Sequence, residues 1–155
     1  MSRPILCLDF DGVLHSYTSG WKGASVIQDP PVPGALEFIV EARKHFSVAV
    51  FSSRSHQWGG RRAMKRWLHR HLCEAAVTFD STPPWLLSEI HAFADPWPDQ
   101  VEWDMKRIVS DIRFPLFKPP AMVSIDDRCL TFDGTWPPIG DLRSFKPWNK
   151  SRRTT

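Results

Sequence analysis

The sequence predicts an α/β fold with a central, mostly parallel sheet, and three features predict it. Short apolar runs at residues 5–10, 47–51 and 121–125 are too brief for helices, and each stops at polar residues, as buried strands do. Between the first two, residues 34–46 carry Leu36, Phe38, Ile39, Val40 and Ala42 at helical spacing among Glu37, Glu41, Arg43 and Lys44. Strand, crossover helix, strand is an order that favours parallel pairing, because a tight turn cannot join parallel strands.

Each element follows from its residues. Residues 5–10 end in Asp-Phe-Asp-Gly, a strand running into a turn. Residues 15–33 contain Gly20, Gly23 and Pro30-Pro31-Val32-Pro33, too irregular for a helix, and read as a small flap over the strand's end. After the helix at 34–46 and the strand at 47–51, residues 60–76 place Ala63, Met64, Trp67, Leu68, Leu72 and Cys73 three and four apart, a second helix. Val77-Thr78-Phe79 is a candidate third strand. Residues 85–93 and 101–112 have helical periodicity on either side of a break at Asp95-Pro96-Trp97-Pro98. The strand at 121–125 runs into Asp126-Asp127, residues 130–133 are a candidate last strand, and the chain after Pro137-Pro138 is expected to be peripheral.

A chain of 155 residues suits one domain, read as 1–146 with a basic tail at 147–155. Its 42% hydrophobic and 24% charged residues are those of a globular protein, and no apolar run approaches the roughly 18 residues of a membrane span. No secretory leader is visible, so a cytoplasmic protein with no membrane partner is expected. Cys7, Cys73 and Cys129 lack CxxC spacing and sit in apolar stretches, which predicts buried reduced thiols and no zinc site. The net charge of +3 is compatible with a phosphate-bearing partner. Basic residues cluster at 61–71 and 146–153, where a solvated helix face and a basic terminus are the favoured account.

The chemistry lies at the strand ends. Side chains two apart in an extended chain share a face, so Asp9 and Asp11 point the same way, and a second strand ends in Asp126 and Asp127. A third ends in Ser52. In an open parallel sheet the carboxyl ends of the strands form the ligand crevice, where carboxylates from distant positions converge. Several carboxylates in one crevice repel unless a hard cation joins them, and few carboxylates plus water and substrate phosphate is a magnesium pattern. Taken singly, each feature has a plain alternative: turn or capping aspartates before Gly12 and Arg128, a turn hydroxyl at Ser52, a solvent-facing Lys118.

Taken together and in order, the features resemble the haloacid dehalogenase (HAD) superfamily of phosphohydrolases. The strand running into DxDG is Leu8-Asp9-Phe10-Asp11-Gly12-Val13-Leu14; the strand-end hydroxyl is Ser52 in Val48-Ala49-Val50-Phe51-Ser52. The lysine is Lys118 in Phe117-Lys118-Pro119, and the acidic pair is Asp126-Asp127 in Val123-Ser124-Ile125-Asp126-Asp127-Arg128. The resemblance implies a Rossmann-like three-layer sandwich without a large cap domain. It also implies that Asp9 is the nucleophile forming an aspartyl-phosphate. Asp11 would act as general acid and then base. Ser52 and Lys118 would hold the phosphoryl oxygens. Magnesium would be bound by Asp9, Asp11 through its backbone carbonyl, and the Asp126–Asp127 pair, with Asp127 favoured as the direct ligand.

The segments between the motifs are filled by a crossover helix and sheet-flanking helices, so the crevice is expected to be open to large substrates. Ser52-Ser53-Arg54 and Asp126-Asp127-Arg128 resemble the SGR and DDR segments of the 3′-phosphatase domain of phage polynucleotide kinases, with Ser53 where the glycine stands. That similarity implies Ser53, Arg54 and Arg128 as substrate contacts and a nucleic-acid end as substrate, with the helix at 61–71 tracking the backbone. A small phosphomonoester is the other substrate reading, and a binding module of weak activity is the other class of function. Trp21 and Trp58, in loops near the crevice, are further candidate contacts.

Overall fold

The apolar run at the start of the chain forms β1, Ile5–Leu8, and the second forms β2, Ser47–Val50. The structure is a computed structural model and describes residues 2–76, 81–91, 97–131 and 133–151. β1 is the central strand: it pairs in parallel with β2, Ile5 beside Ser47 through Leu8 beside Val50. On its other side it pairs in parallel with β3, Val123–Ile125, Leu6 beside Val123 through Leu8 beside Ile125. The protein is therefore a mixed α/β fold on an open parallel sheet of order β2-β1-β3. Arg113 extends the β2 edge: its N–H donates to the Val48 carbonyl and its carbonyl accepts from Val50 N–H.

The crossover is the helix α1, Ala35–His45. Gly34 precedes it at φ 82°, a left-handed turn that glycine adopts without steric cost. Ile39, Val40 and Ala42 face the core, and Phe46 carries the chain straight into β2. Next, α2, Gly60–Ala75, buries Ala63, Met64, Trp67, Leu68 and Leu72 and turns Arg61, Arg62, Lys65 and Arg66 to solvent. It packs on α4, Trp97–Ser110, while α1 packs on the short α3, Pro84–Leu87. Each fully buried Leu or Ile stabilises the fold by roughly 1.5–3 kcal/mol, and these residues join β1, β2, α1, α2 and α4 into one core.

Several expectations change. The helix at 85–93 is α3, Pro84–Leu87, in its described part, where Leu86 and Ile90 are the buried apolar residues, and residues 92–93 lie outside the described residues. The helix expected at 101–112 starts earlier, at Trp97, with Pro98 in the first turn, where its missing N–H costs nothing. The candidate strand at 77–79 lies outside the described residues. Leu130, Thr131 and Asp133 belong to no strand. After Pro138 the described residues include two short helices, α5, Ile139–Ser144, and α6, Trp148–Ser151. No described residue of this segment is buried, as expected of a peripheral one, but it touches the site at one point: Trp148 Nε1 donates to the Gly12 carbonyl at 2.8 Å. Cys7 is buried as expected, but Cys73 is half-buried and Cys129 exposed, because the segment after β3 has no core over it. Among the described residues no helix is long and apolar enough to cross a membrane.

Candidate active site

Parallel register brings three strand ends level. Asp9 N–H donates to the Ile125 carbonyl at 2.9 Å and Phe51 N–H to the Leu8 carbonyl at 3.0 Å, so Asp9, Ser52 and Asp126 emerge together. Between the two aspartates, Phe10 points the other way and is buried against Trp67. Gly12 then reverses the chain at φ +92°, and Leu14 and His15 N–H both donate to the Phe10 carbonyl. The cleft that results, about 250 Å³, is lined by Asp9, Asp11, Tyr17, Ser52, Ser53, Lys118, Asp126 and Arg128. That volume holds a phosphoryl group rather than a whole drug-sized ligand, leaving the rest of a substrate on the surface.

Asp9, Asp126 and Asp127 each offer an oxygen within 4.8 Å of the others. Burial pushes the Asp9 carboxyl up to about 7, and the charges of Asp126, Asp11 and Asp127 add to the rise. The Asp127 carboxyl is also raised, first by burial and then by Asp126. Its side chain is 0% exposed, yet neither oxygen has a hydrogen-bond partner, and Arg128 Nε stands 3.9 Å away. Two orphaned oxygens facing two more carboxylates fit a cation, and a hard oxygen-seeking one such as magnesium suits an all-carboxylate donor set. The space behind them is tight: a Cβ on Gly12 would lie 2.5 Å from Asp127 Oδ2.

Asp11 has a different environment. Burial would raise its carboxyl, but hydrogen bonds from His15 and Arg54 and the Arg54 charge outweigh burial and hold it below its ordinary value. Arg54 Nε donates to Oδ2 at 2.8 Å and His15 Nδ1 lies 2.8 Å from Oδ1. The two aspartates of one motif are thus driven apart, Asp9 toward the protonated form while no cation balances its acidic neighbours and Asp11 toward the ionised one by its hydrogen bonds.

Arg54 is not a crevice residue. Its side chain is 0% exposed, and besides Asp11 it donates through Nη1 to the carbonyls of Gly23, Ala24 and Val26, with Trp21 stacked 4.6 Å from its guanidinium carbon. An arginine beside a carboxylate and three flap carbonyls is drawn inward by them, so the sequence-based expectation of a substrate contact gives way to a clamp on the flap. Trp21 belongs to that clamp. Ser52 is buried, its hydroxyl accepting from Arg54 N–H at 3.3 Å, whereas Ser53 and Lys118 are exposed at the cleft. Asp126 Oδ1 accepts from Arg128 N–H at 2.9 Å, fixing the turn that carries the pair.

Trp58, 99% exposed, lines a second cleft of about 560 Å³ with His56, Arg61, Arg62, Lys65 and Phe114. His56 lies between Phe117 and Phe51, and Phe51 lines the first cleft. Sequence reasoning overlooked Tyr17 and His15. The Asp-x-x-x-His spacing across a glycine turn was the available signal for His15; Tyr17, at φ 55°, had none.

No family model matches this chain, and neither the curated proteins nor the solved structures contain a significant match to it.

Proposed function

We propose that this protein is a magnesium-dependent phosphohydrolase of the HAD type, a Rossmann-like sandwich without a large cap, that hydrolyses phosphomonoesters through an aspartyl-phosphate. One observation carries the reading: Asp9, Asp126 and Asp127 converge from two strand ends, with both Asp127 oxygens buried and unpartnered, beside a cleft lined by Asp9, Asp11, Ser52, Lys118 and Asp126.

The side chains divide the work. An Asp9 oxygen attacks phosphorus, the bond to the ester oxygen breaks, and Asp11 delivers a proton to that oxygen. Asp11 then takes a proton from water, whose oxygen attacks the aspartyl-phosphate, releasing phosphate and restoring Asp9. The ionised state that His15 and Arg54 favour suits the second half; in the first half the charge of an arriving phosphate raises the proton affinity of Asp11. Lys118 and the Ser52 hydroxyl or backbone hold the equatorial oxygens. Asp9, the Asp11 carbonyl and Asp127 would hold magnesium, with Asp126 beside them, and the ion would supply charge neutralisation for attack by one anion on another.

The test is phosphate release from 4-nitrophenyl phosphate with and without magnesium, with Asp9→Asn as control. Turnover that needs magnesium and falls by about 10³-fold or more in Asp9→Asn supports the reading. No release from any member of a phosphoester panel overturns it in favour of a binding module.

A nucleic-acid end as substrate is the second reading, favoured by the cleft at Trp58. Exposed aromatic rings beside Arg61, Arg62 and Lys65 suit stacked bases and a phosphate backbone. It predicts hydrolysis of 3′-phosphorylated oligonucleotides with a steep salt dependence that Arg61→Ala with Arg62→Ala flattens. A salt-insensitive rate, equal to that on small esters, removes it.

A further inference from the structure

His15 is 1% exposed, and both ring nitrogens are engaged. Nε2 receives the backbone N–H of Asp29 at 3.2 Å, closer than the Asp29 carboxylate oxygen at 3.6 Å, and since one N–H cannot donate to another this geometry places the lone pair on Nε2. The ring's hydrogen is therefore on Nδ1, which donates to Asp11 Oδ1 at 2.8 Å. Asp29 is itself fixed from two sides. Its carboxylate accepts from Ser19 N–H and hydroxyl, each at 2.9 Å, and its carbonyl accepts from Trp67 Nε1 of α2 at 3.1 Å. The ring stacks on Phe10 and meets Trp67 edge-on. A chain of directed hydrogen bonds thus runs from α2 through the flap to one oxygen of Asp11, while Arg54, gripping the other limb of the flap, holds the second oxygen.

We propose that His15 is a positioning residue for Asp11: kept in its Nδ1–H form by the flap backbone at Asp29, it sets the plane of the carboxylate that exchanges a proton with the leaving oxygen and then with water. This rests on the phosphohydrolase reading and adds to it. A histidine that merely fills the core would lower stability alone. One that aims a proton-transfer group changes the rate most where the proton matters most. An alkyl phosphate expels a basic alkoxide and needs the proton; 4-nitrophenolate leaves nearly unaided.

The experiment compares His15→Ala, His15→Gln and His15→Asn on 4-nitrophenyl phosphate and an alkyl phosphomonoester, with folding checked by circular dichroism. The Asn amide nitrogen reaches the position of Nδ1, whereas that of Gln reaches the position of Nε2. We expect His15→Ala and His15→Gln to lose kcat on the alkyl ester by about 10–100-fold, with KM within about twofold and a several-fold smaller loss on the nitrophenyl ester. His15→Asn recovers most of the rate. Should His15→Ala not fold, the Gln–Asn contrast carries the same test. Two-bond ¹H–¹⁵N spectra of the wild-type protein read the tautomer without substrate. A hydrogen on Nε2, or an unchanged kcat on the alkyl ester in folded His15→Gln of an active enzyme, overturns the role of His15. A wild-type protein inactive on all phosphomonoesters overturns the phosphohydrolase reading beneath it, whatever the spectra show.

Discussion

Asp9, Asp11 and Ser52 follow strands whose last three residues are all buried, whereas Asp126 and Asp127 follow β3, whose three residues are all exposed. Among the described residues no hydrophobic side chain after Phe114 is buried. One side of the site therefore grows from the core, and the other is registered against it by hydrogen bonds: Asp9 N–H to Ile125, Met122 N–H to Ile5, Trp148 Nε1 to Gly12. A hydrogen bond contributes about 0.5–1.5 kcal/mol net, less than the roughly 1.5–3 kcal/mol of one buried aliphatic side chain. A site can thus be placed accurately by backbone register while one half of it opens more easily than the other.

The comparison is most severely tested at Arg54. Arg54→Ala leaves the buried Asp11 carboxylate and three flap carbonyls short of a partner, and is expected to cost about 3–5 kcal/mol in urea unfolding. Arg54→Lys should not restore it, because an ammonium cannot serve both sides at once. A cost below about 1 kcal/mol would show that the core-borne half is no more rigid than the other.

Next in size is the effect of pH without metal. Asp9 is raised from 3.8 to about 7 in the folded protein, so between those values the native state holds a proton that the unfolded chain has released. Metal-free stability therefore falls as pH rises through this window, by about 2–4 kcal/mol at its upper end. Asp11 acts in the opposite sense: its folded value is lowered, so its stabilisation is present above the ordinary carboxylate value and lost as pH falls through the folded one. Thermal melts should show magnesium raising the midpoint more at about pH 8 than at about pH 5. An equal rise at both would mean that the ion does not engage Asp9.

Gly12→Ala addresses the seam directly. A methyl at φ +92° is strained, and its carbon would lie 2.5 Å from Asp127 Oδ2, so a loss of about 1–3 kcal/mol is expected together with weakened magnesium binding by calorimetry. Stability lost with magnesium affinity intact would detach Asp127 from the metal. The smallest effect belongs to Trp148→Phe, which removes the hydrogen bond to Gly12: about 0.5–1.5 kcal/mol, with faster amide exchange in 139–151 and unchanged exchange in β1 and β2. Faster exchange throughout β1 would make the tail part of the core.

The sequence alone determined the strands and the carboxylates that end them. A short apolar run bounded by turn residues reads as a strand, as β1, β2 and β3 are, although only β1 and β2 are buried, and a period of two fixes Asp9 and Asp11 to one side. Helical spacing likewise marked α1 and α2, with the basic residues of α2 on the solvent face. These are local properties, each set by a few neighbouring side chains.

Only the tertiary structure decided the rest. Arg54 reads as a substrate contact until the flap folds over it and supplies three carbonyls. Cys129 reads as buried because apolar neighbours flank it, yet no layer covers the segment after β3. His15 gains its bonds from Asp11, four residues away, and from the backbone of Asp29 on the far limb of the flap. The composition of the residues around a position states what it can bond, but which partners reach it depends on loop closure over long separations, and that is settled only when the whole core packs.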